Sequence, residues 1–307
     1  MGEHVIVDCH THVGTAEHYS AGFRADLARS WSEVRMGNQD LEDHWQAMAG
    51  TDKAIVLAFD APASGIMVPN NYVAGYVACH PEKLIGFASV DPARRDALDR
   101  LTHAVTVMGL RGLKVGPIYQ HFDPTSPAGI ALFSRAESLG IPVICHQATT
   151  FIRDAPLRWA RPILLDDVAT ACPDLVMCVA HLGHPWCEEL MVVIRKHPHL
   201  YADVSALHAR PIQLYFALAS AVEYRVTDRL LLGSDYPFAT TQQTIDALRR
   251  VNDVVRGTGF PPIPDEVIEG IIGRDALTLL GIEDRPGASG HRPSGGQSGT
   301  CDQGAAR

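Results

Sequence analysis

The chain has 307 residues, 46% of them hydrophobic and 20% charged, with a formal net charge of −9. That is an ordinary globular composition, long enough for one large core, and its acidity argues against a nucleic-acid partner, which requires clustered Lys and Arg. The opening Met1-Gly2-Glu3-His4 lacks the basic region and apolar stretch of a secretory leader, and no apolar run approaches the ~20 residues of a membrane span, so a cytoplasmic protein is expected.

Short β-branched runs alternate with amphipathic stretches of helical length. In chain order the runs are Val5 to Cys9, Ala54 to Ala58, Leu84 to Val90, Gly112 to Val115, Pro142 to Cys145, Val176 to Ala180, Leu200 to Val204 and Leu230 to Gly233. Each is largely apolar, as parallel strands buried on both faces are. Between them lie Asn71 to His80, Ala97 to Met108, Ile130 to Leu139, Ile163 to Ala171, Glu188 to Lys196 and Thr241 to Val255, with Asp96 and Thr240 or Thr241 as candidate caps. Asp265 to Leu280 reads as a last helix covering the end of the fold. Strand and helix repeated eight times predict a (β/α)8 barrel over residues 1–283. A doubly wound open sheet is the alternative, and the lack of G-x-G-x-x-G after the first strand lowers its dinucleotide version.

Two regions interrupt the pattern. Gly14 to Trp45 is a long insertion after the first strand, where barrel enzymes build lids and substrate walls. Residues 284–307 are rich in Gly, Ser and Pro with almost nothing apolar, and are expected to be a disordered tail.

Polar residues that close apolar strands carry the chemical signal. Asp8-Cys9-His10-Thr11-His12 places two imidazoles at i and i+2, on one side of a strand. An H-x-H pair alone is weak evidence, but His146, His181 and Asp235 close the fifth, sixth and eighth runs in the same way. In a barrel these ends converge on one mouth, and His and Asp are ligands for borderline divalent metals. Lys114 closes the fourth run: it either pairs with a carboxylate or substrate anion, or is itself carboxylated and bridges two metals. The seven cysteines show no C-x-x-C pair, and alternation is expected to turn Cys9 and Cys145 away from the side the histidines face. Tyr119, Gln120, Arg153, Trp186, Tyr236 and Phe238 follow strand ends and are candidate pocket residues. Arg153 either holds a substrate carboxylate or is a solvated loop residue, and His184 is taken as a loop histidine in preference to a substrate contact.

The order H-x-H, Lys, His, His, Asp on strands one, four, five, six and eight resembles the amidohydrolase superfamily. Asn70-Asn71-Tyr72-Val73-Ala74, His80-Pro81-Glu82-Lys83, Gly86-Phe87-Ala88-Ser89-Val90-Asp91-Pro92 and Gly233-Ser234-Asp235-Tyr236-Pro237 are more specifically similar to its amidohydrolase-related branch. That branch contains aminocarboxymuconate-semialdehyde decarboxylase-like enzymes, benzoate-type decarboxylases and metal-dependent hydrolases of lactones. The resemblance runs from about Val5 to Ile282. It implies one divalent ion, zinc or manganese, held by His10, His12, His146 and Asp235, with a second if Lys114 is carboxylated. It also implies a general acid/base at His181, and barrels of this branch are often homodimers. His184 departs from the branch, whose members usually carry a small residue there, and Gly273-Arg274-Asp275-Ala276 departs from its usual Gly-Asn-Ala. Gly112-Leu113-Lys114-Val115-Gly116-Pro117 looks more like the branch's hydrolases than its muconate-type decarboxylases. The expected activity is hydrolysis of a small-molecule lactone, ester or amide. The alternatives are decarboxylation of an aromatic or muconate-type acid and, third, a barrel with a non-catalytic metal.

Overall fold

Eight parallel strands arise from the apolar runs, and their ends differ from the expected bounds by a few residues at most. They are β1 (Val7–His12), β2 (Lys53–Leu57), β3 (Leu84–Ser89), β4 (Leu113–Val115), β5 (Val143–Cys145), β6 (Met177–Val179), β7 (Leu200–Asp203) and β8 (Leu230–Leu231). The computed structural model describes residues 5–31, 34 and 40–282. Sheet order follows chain order. Backbone bonds close the ring from β1 to the chain after β8: Cys9 N to Leu232 O at 3.0 Å, Asp235 N to His10 O at 2.8 Å and His12 N to Tyr236 O at 2.9 Å. Closure makes this a (β/α)8 barrel and excludes the open sheet. The tail expected at 284–307 lies outside the described residues.

Side-chain alternation divides the core into two shells. Ile55, Leu57, Ile85, Phe87, Ile144 and Leu231 pack inside the barrel with Ala276, Leu280 and Ile282, so the segment 276–282 plugs one mouth. Ala54, Val56, Leu113, Val143 and Met177 face the surrounding helices.

Capping residues set several helix bounds. Thr240 and Gln243 form a capping box on Thr241–Arg249, with Thr240 Oγ1 accepting from Gln243 N at 3.2 Å and Gln243 Oε1 accepting from Thr240 N at 2.8 Å. Asp96 does not cap Ala97–Thr106; its carboxylate accepts instead from Arg100 Nε at 2.7 Å. The helix expected over Thr241 to Val255 ends at Arg249 and continues as the 3-10 turn Val251–Val255. The one expected over Asp265 to Leu280 splits into Asp265–Ile272 and Ala276–Leu279, because the Asp275 carboxylate caps the second by accepting from Leu277 N and Thr278 N. Helix Pro211–Tyr224 was not anticipated; its solvent side carries Ile212 and Phe216, so no clean polar face marks its period. The insertion contributes helices Ala21–Ser30 and Leu41–Ala47, and a hairpin, Phe59–Ala61 with Ile66–Val68, follows β2. Among the described residues no helix is long and apolar enough to cross a membrane.

One strand breaks its own alternation. The register of β1 against β2 slips between Asp8 and Thr11, a bulge that turns two successive side chains the same way. Asp8 points outward, accepting from Thr241 Oγ1 at 2.6 Å and Ser234 N at 2.9 Å. Cys9 joins the interior shell beside Cys178, and His10 also points in. The expectation that Cys9 faces away from the histidines is therefore wrong, while Cys145 does face the outer shell.

Replacing the Thr240 cap should cost about 1 kcal/mol of folding free energy. Thr240→Ala is expected to lower the urea midpoint with unchanged metal content; an unchanged midpoint would show that the box does not hold this helix.

Candidate metal centre

The strand ends bring His10, His12, His146, His181, Lys114 and Asp235 to one cavity mouth, all buried. Alternation puts His10 and His12 on the same side, and the β1 bulge turns Cys9 to that side as well. Asp235 sits in the left-handed region at φ 59°, a conformation that costs a non-glycine residue energy, and its amide is held by His10 O. His181 is likewise left-handed at φ 59°, with its amide donating to Asp203 Oδ1 at 3.0 Å. Gly233 is required by close approach: a Cβ there would stand 3.0 Å from the His10 Cβ and 3.3 Å from the Asp203 Cβ.

Three donor atoms form a compact triangle. His10 Nε2 lies 3.2 Å from His12 Nε2 and 3.4 Å from Asp235 Oδ1, and His12 Nε2 lies 3.3 Å from the same oxygen. Ligands ~2.1 Å from one ion are separated by about 3.0 Å in octahedral and about 3.4 Å in tetrahedral geometry. The triangle therefore matches one face of either polyhedron.

Partners on the far side of three of the rings, those of His10, His146 and His181, fix where their protons are. His10 Nδ1 donates to Asp203 Oδ2 at 2.9 Å, which leaves Nε2 as a lone pair toward the triangle. His146 Nε2 donates to the carbonyl of Thr149 at 2.9 Å, leaving Nδ1 bare. Ser205 Oγ donates to Asp203 Oδ1 and accepts from His181 Nδ1 at 2.7 Å, which leaves His181 Nε2 bare. His146 Nδ1 and His181 Nε2 face each other at 3.0 Å. Burial first, and the Lys114 charge second, hold His10 and His12 well below the ordinary imidazole range and bring His146 to about 3. Burial and then His146 hold His181 low as well. His10 Nε2, His146 Nδ1 and His181 Nε2 thus carry no proton of their own, His10 Nε2 accepting from Lys114 Nζ, and burial pushes the Asp235 carboxyl up to about 8. A donor set of this kind fits a divalent cation.

His146 neighbours His181 and is not part of the tight triangle; His181 approaches Asp235 Oδ2 only to 4.0 Å. Lys114 is fully buried, its Nζ 2.9 Å from His10 Nε2 and 5.6 Å from the Phe59 ring centroid, and burial lowers its pKa. It faces the site.

The cavity above these residues measures about 380 Å³, a size typical of small-molecule sites. Tyr119 and Phe238 line it as anticipated, and from the insertion Tyr19, Phe23 and Trp31 form a wall. Four anticipated pocket residues do not line it. The Arg153 side chain is 74% exposed and reaches toward Asp26. Trp186 packs on the core before helix Cys187–Lys196, Tyr236 packs edge-on against His44, and the Gln120 amide binds the carbonyls of Asp60 and Val90. His184, taken as a loop histidine, does line the cavity, as does Arg210, for which the sequence offered no signal. Asp203 was also missed, although it ends β7 as the other polar residues end their strands.

Asp203→Asn is expected to weaken divalent-metal binding about 10- to 100-fold, the usual effect of losing a ligand's outer carboxylate. Competition against a chromogenic chelator measures it. Wild-type affinity in the folded variant would show that Asp203 does not orient His10.

The amidohydrolase family model matches residues 7–282. A comparison with curated proteins finds no match. An uncharacterized TIM-barrel protein from Bordetella bronchiseptica is 20% identical at a TM-score of 0.69, over 90% of this chain and 98% of that one. A probable 2-pyrone-4,6-dicarboxylic acid hydrolase from Acinetobacter baumannii, solved with citric acid bound, is 14% identical at 0.64, over 90% and 99%. A dihydroxybenzoic acid decarboxylase from Polaromonas sp. JS666, with manganese and 2-nitroresorcinol bound, is 16% identical at 0.65, over 93% and 99%. The solved structures are similar in fold, and the family match spans every barrel strand and every donor of the metal triangle: the chain belongs to the amidohydrolase family of enzymes.

Proposed function

We propose that the chain is a metal-dependent hydrolase that opens a small lactone, ester or amide, with zinc the expected ion and manganese the alternative. The observation that carries this reading is Lys114, a fully buried lysine in the cavity floor with its Nζ 2.9 Å from His10 Nε2. A cation there stabilises an oxyanion developing on the substrate carbonyl. His10, His12 and Asp235 would hold the ion, with His146 beside them. When bound, such an ion would supply Lewis acidity and lower the pKa of a water toward neutrality. Asp235 accepts the attacking water's proton. His181, bare at Nε2 because Ser205 and Asp203 retain the proton on its Nδ1 side, would take that proton from Asp235, whose Oδ2 lies 4.0 Å away, and pass it to the leaving group. The buried walls exclude bulk water from these transfers.

Decarboxylation is the second reading, and Lys114 favours it only if its ammonium holds the substrate's own carboxylate. Turnover separates the two. Protein stripped with a chelator should be inactive and regain activity with zinc or manganese. Lys114→Ala should lose lactone opening by about 10²- to 10³-fold; carbon dioxide release from an aromatic acid, undiminished in that variant, would overturn the hydrolase reading.

His181→Asn is expected to retain metal and lose ~10²- to 10⁴-fold in turnover. Parallel loss of metal and rate would place His181 among the ligands.

A further inference from the structure

We propose that His44, on the insertion helix Leu41–Ala47, is a positioning residue for the metal centre: by holding Thr11 and Tyr236 it fixes how far the donors of β1 stand from the donor that follows β8. The proposal rests on the reading of His10, His12 and Asp235 as the ion's ligands, and it is the same whether the bound substrate is hydrolysed or decarboxylated.

The triangle is assembled across a seam. His10 and His12 come from β1, whereas Asp235 comes from the chain after β8, and the ladder between β1 and β2 slips between Asp8 and Thr11. Thr11 is where pairing with β2 resumes, opposite Val56, and it also bridges to Tyr236 where the barrel closes. Thr11 lies between the two histidines, and Tyr236 directly follows the aspartate. Displacement of either would alter the 3.4 and 3.3 Å spacings from His10 Nε2 and His12 Nε2 to Asp235 Oδ1.

His44 meets both residues. Its ring has no exposure, and both of its nitrogens are engaged. Thr11 Oγ1 donates its one proton to Ile55 O at 2.7 Å, so toward His44 Nε2, at 2.9 Å, it accepts. Nε2 therefore carries the ring proton. Nδ1 is a lone pair 2.9 Å from the Tyr76 hydroxyl, which also lies 3.1 Å from Leu41 O. Burial first, then His12, brings His44 to about 3, in keeping with a neutral ring in this one tautomer. The same ring packs edge-on against Tyr236, with centroids 5.4 Å apart. A leucine would fill the space without needing polar partners. A buried ring with both nitrogens bonded is held in one orientation, and so transmits the position of its helix to Thr11. The helix is fixed at its start by reciprocal bonds, Asp43 N to Asp40 Oδ1 at 2.9 Å and Asp40 N to Asp43 Oδ2 at 3.1 Å.

Titration with cobalt(II), which takes zinc's ligands and reports their geometry in its visible bands, tests the role. Wild type should bind the ion with one defined spectrum. Thr11→Val, which keeps the shape and loses the acceptor, should weaken cobalt affinity about 10-fold and shift the bands of the saturated protein. His44→Leu should do the same, and the double variant should be no worse than His44→Leu alone, since both changes remove the same bond. His44→Gln, whose amide nitrogen can stand where Nε2 stood, should restore the wild-type bands and most of the affinity. A packing role would not separate Gln from Leu in this way. Should His44→Leu fail to fold, Thr11→Val and His44→Gln carry the comparison. Lower urea midpoints with unchanged affinity and bands, losses that add in the double variant, or a Gln variant no better than Leu would each overturn the positioning role and leave the metal reading standing. Wild type that takes up neither cobalt nor zinc would overturn the metal reading itself, and the role of His44 with it.

Discussion

One buried carboxylate, that of Asp203, organises the centre. It lies at the end of β7 with no exposure and receives His10 Nδ1, His181 N, Ser205 N and Ser205 Oγ. A carboxylate in low dielectric is tolerated only when donors surround it. Here the same donors are the groups that must be oriented. One arm fixes the tautomer of His10. The other, through Ser205, fixes that of His181. Three strands are tied at the cavity floor by a single side chain.

Conformational strain gathers around that hub. His181, Leu182, Ala206 and Asp235 are all non-glycine residues in the left-handed region, and all lie in the chain just beyond β6, β7 or β8. Such residues persist only where neighbouring bonds over-determine them. For Asp235 and His181 those bonds are visible: His10 O holds one amide and the Asp203 carboxylate the other. The β1 bulge acts to the same end, since strict alternation would leave either Cys9 or His10 outside. Strand β1 thus gives up regular pairing at the position where its side chains enter the cavity mouth.

The cover of the site has a different physical basis. Trp31, at the end of the insertion's first described helix, meets Phe238 edge-on at 5.4 Å and Arg210 face-on, while Phe23 and Phe238 both approach Phe151. Aromatic contacts of this kind are worth about 0.5–1.5 kcal/mol each beyond the area they bury. They join the insertion to the loops after β5, β7 and β8, enclosing a cavity whose floor is polar and whose walls are not.

The barrel and the donors of the metal triangle were legible because both rest on local properties. A strand buried on two faces must be apolar along its length, so the histidine or aspartate that ends it stands out: His10 and His12, His146, His181 and Asp235 each do so. Asp203 obeyed the same rule and was passed over inside an otherwise apolar run. What sequence could not supply was any relation lacking a period. The bulge that turns Cys9 inward is a slip of register against β2, visible only in the pair. Arg153 and Arg210 are both loop arginines with nothing local to distinguish them, yet closure of the barrel leaves one in solvent and sets the other against Trp31. Burial patterns are written residue by residue along the chain, whereas the meeting of loop side chains depends on where separate strands end in space, and only the closed ring decides that.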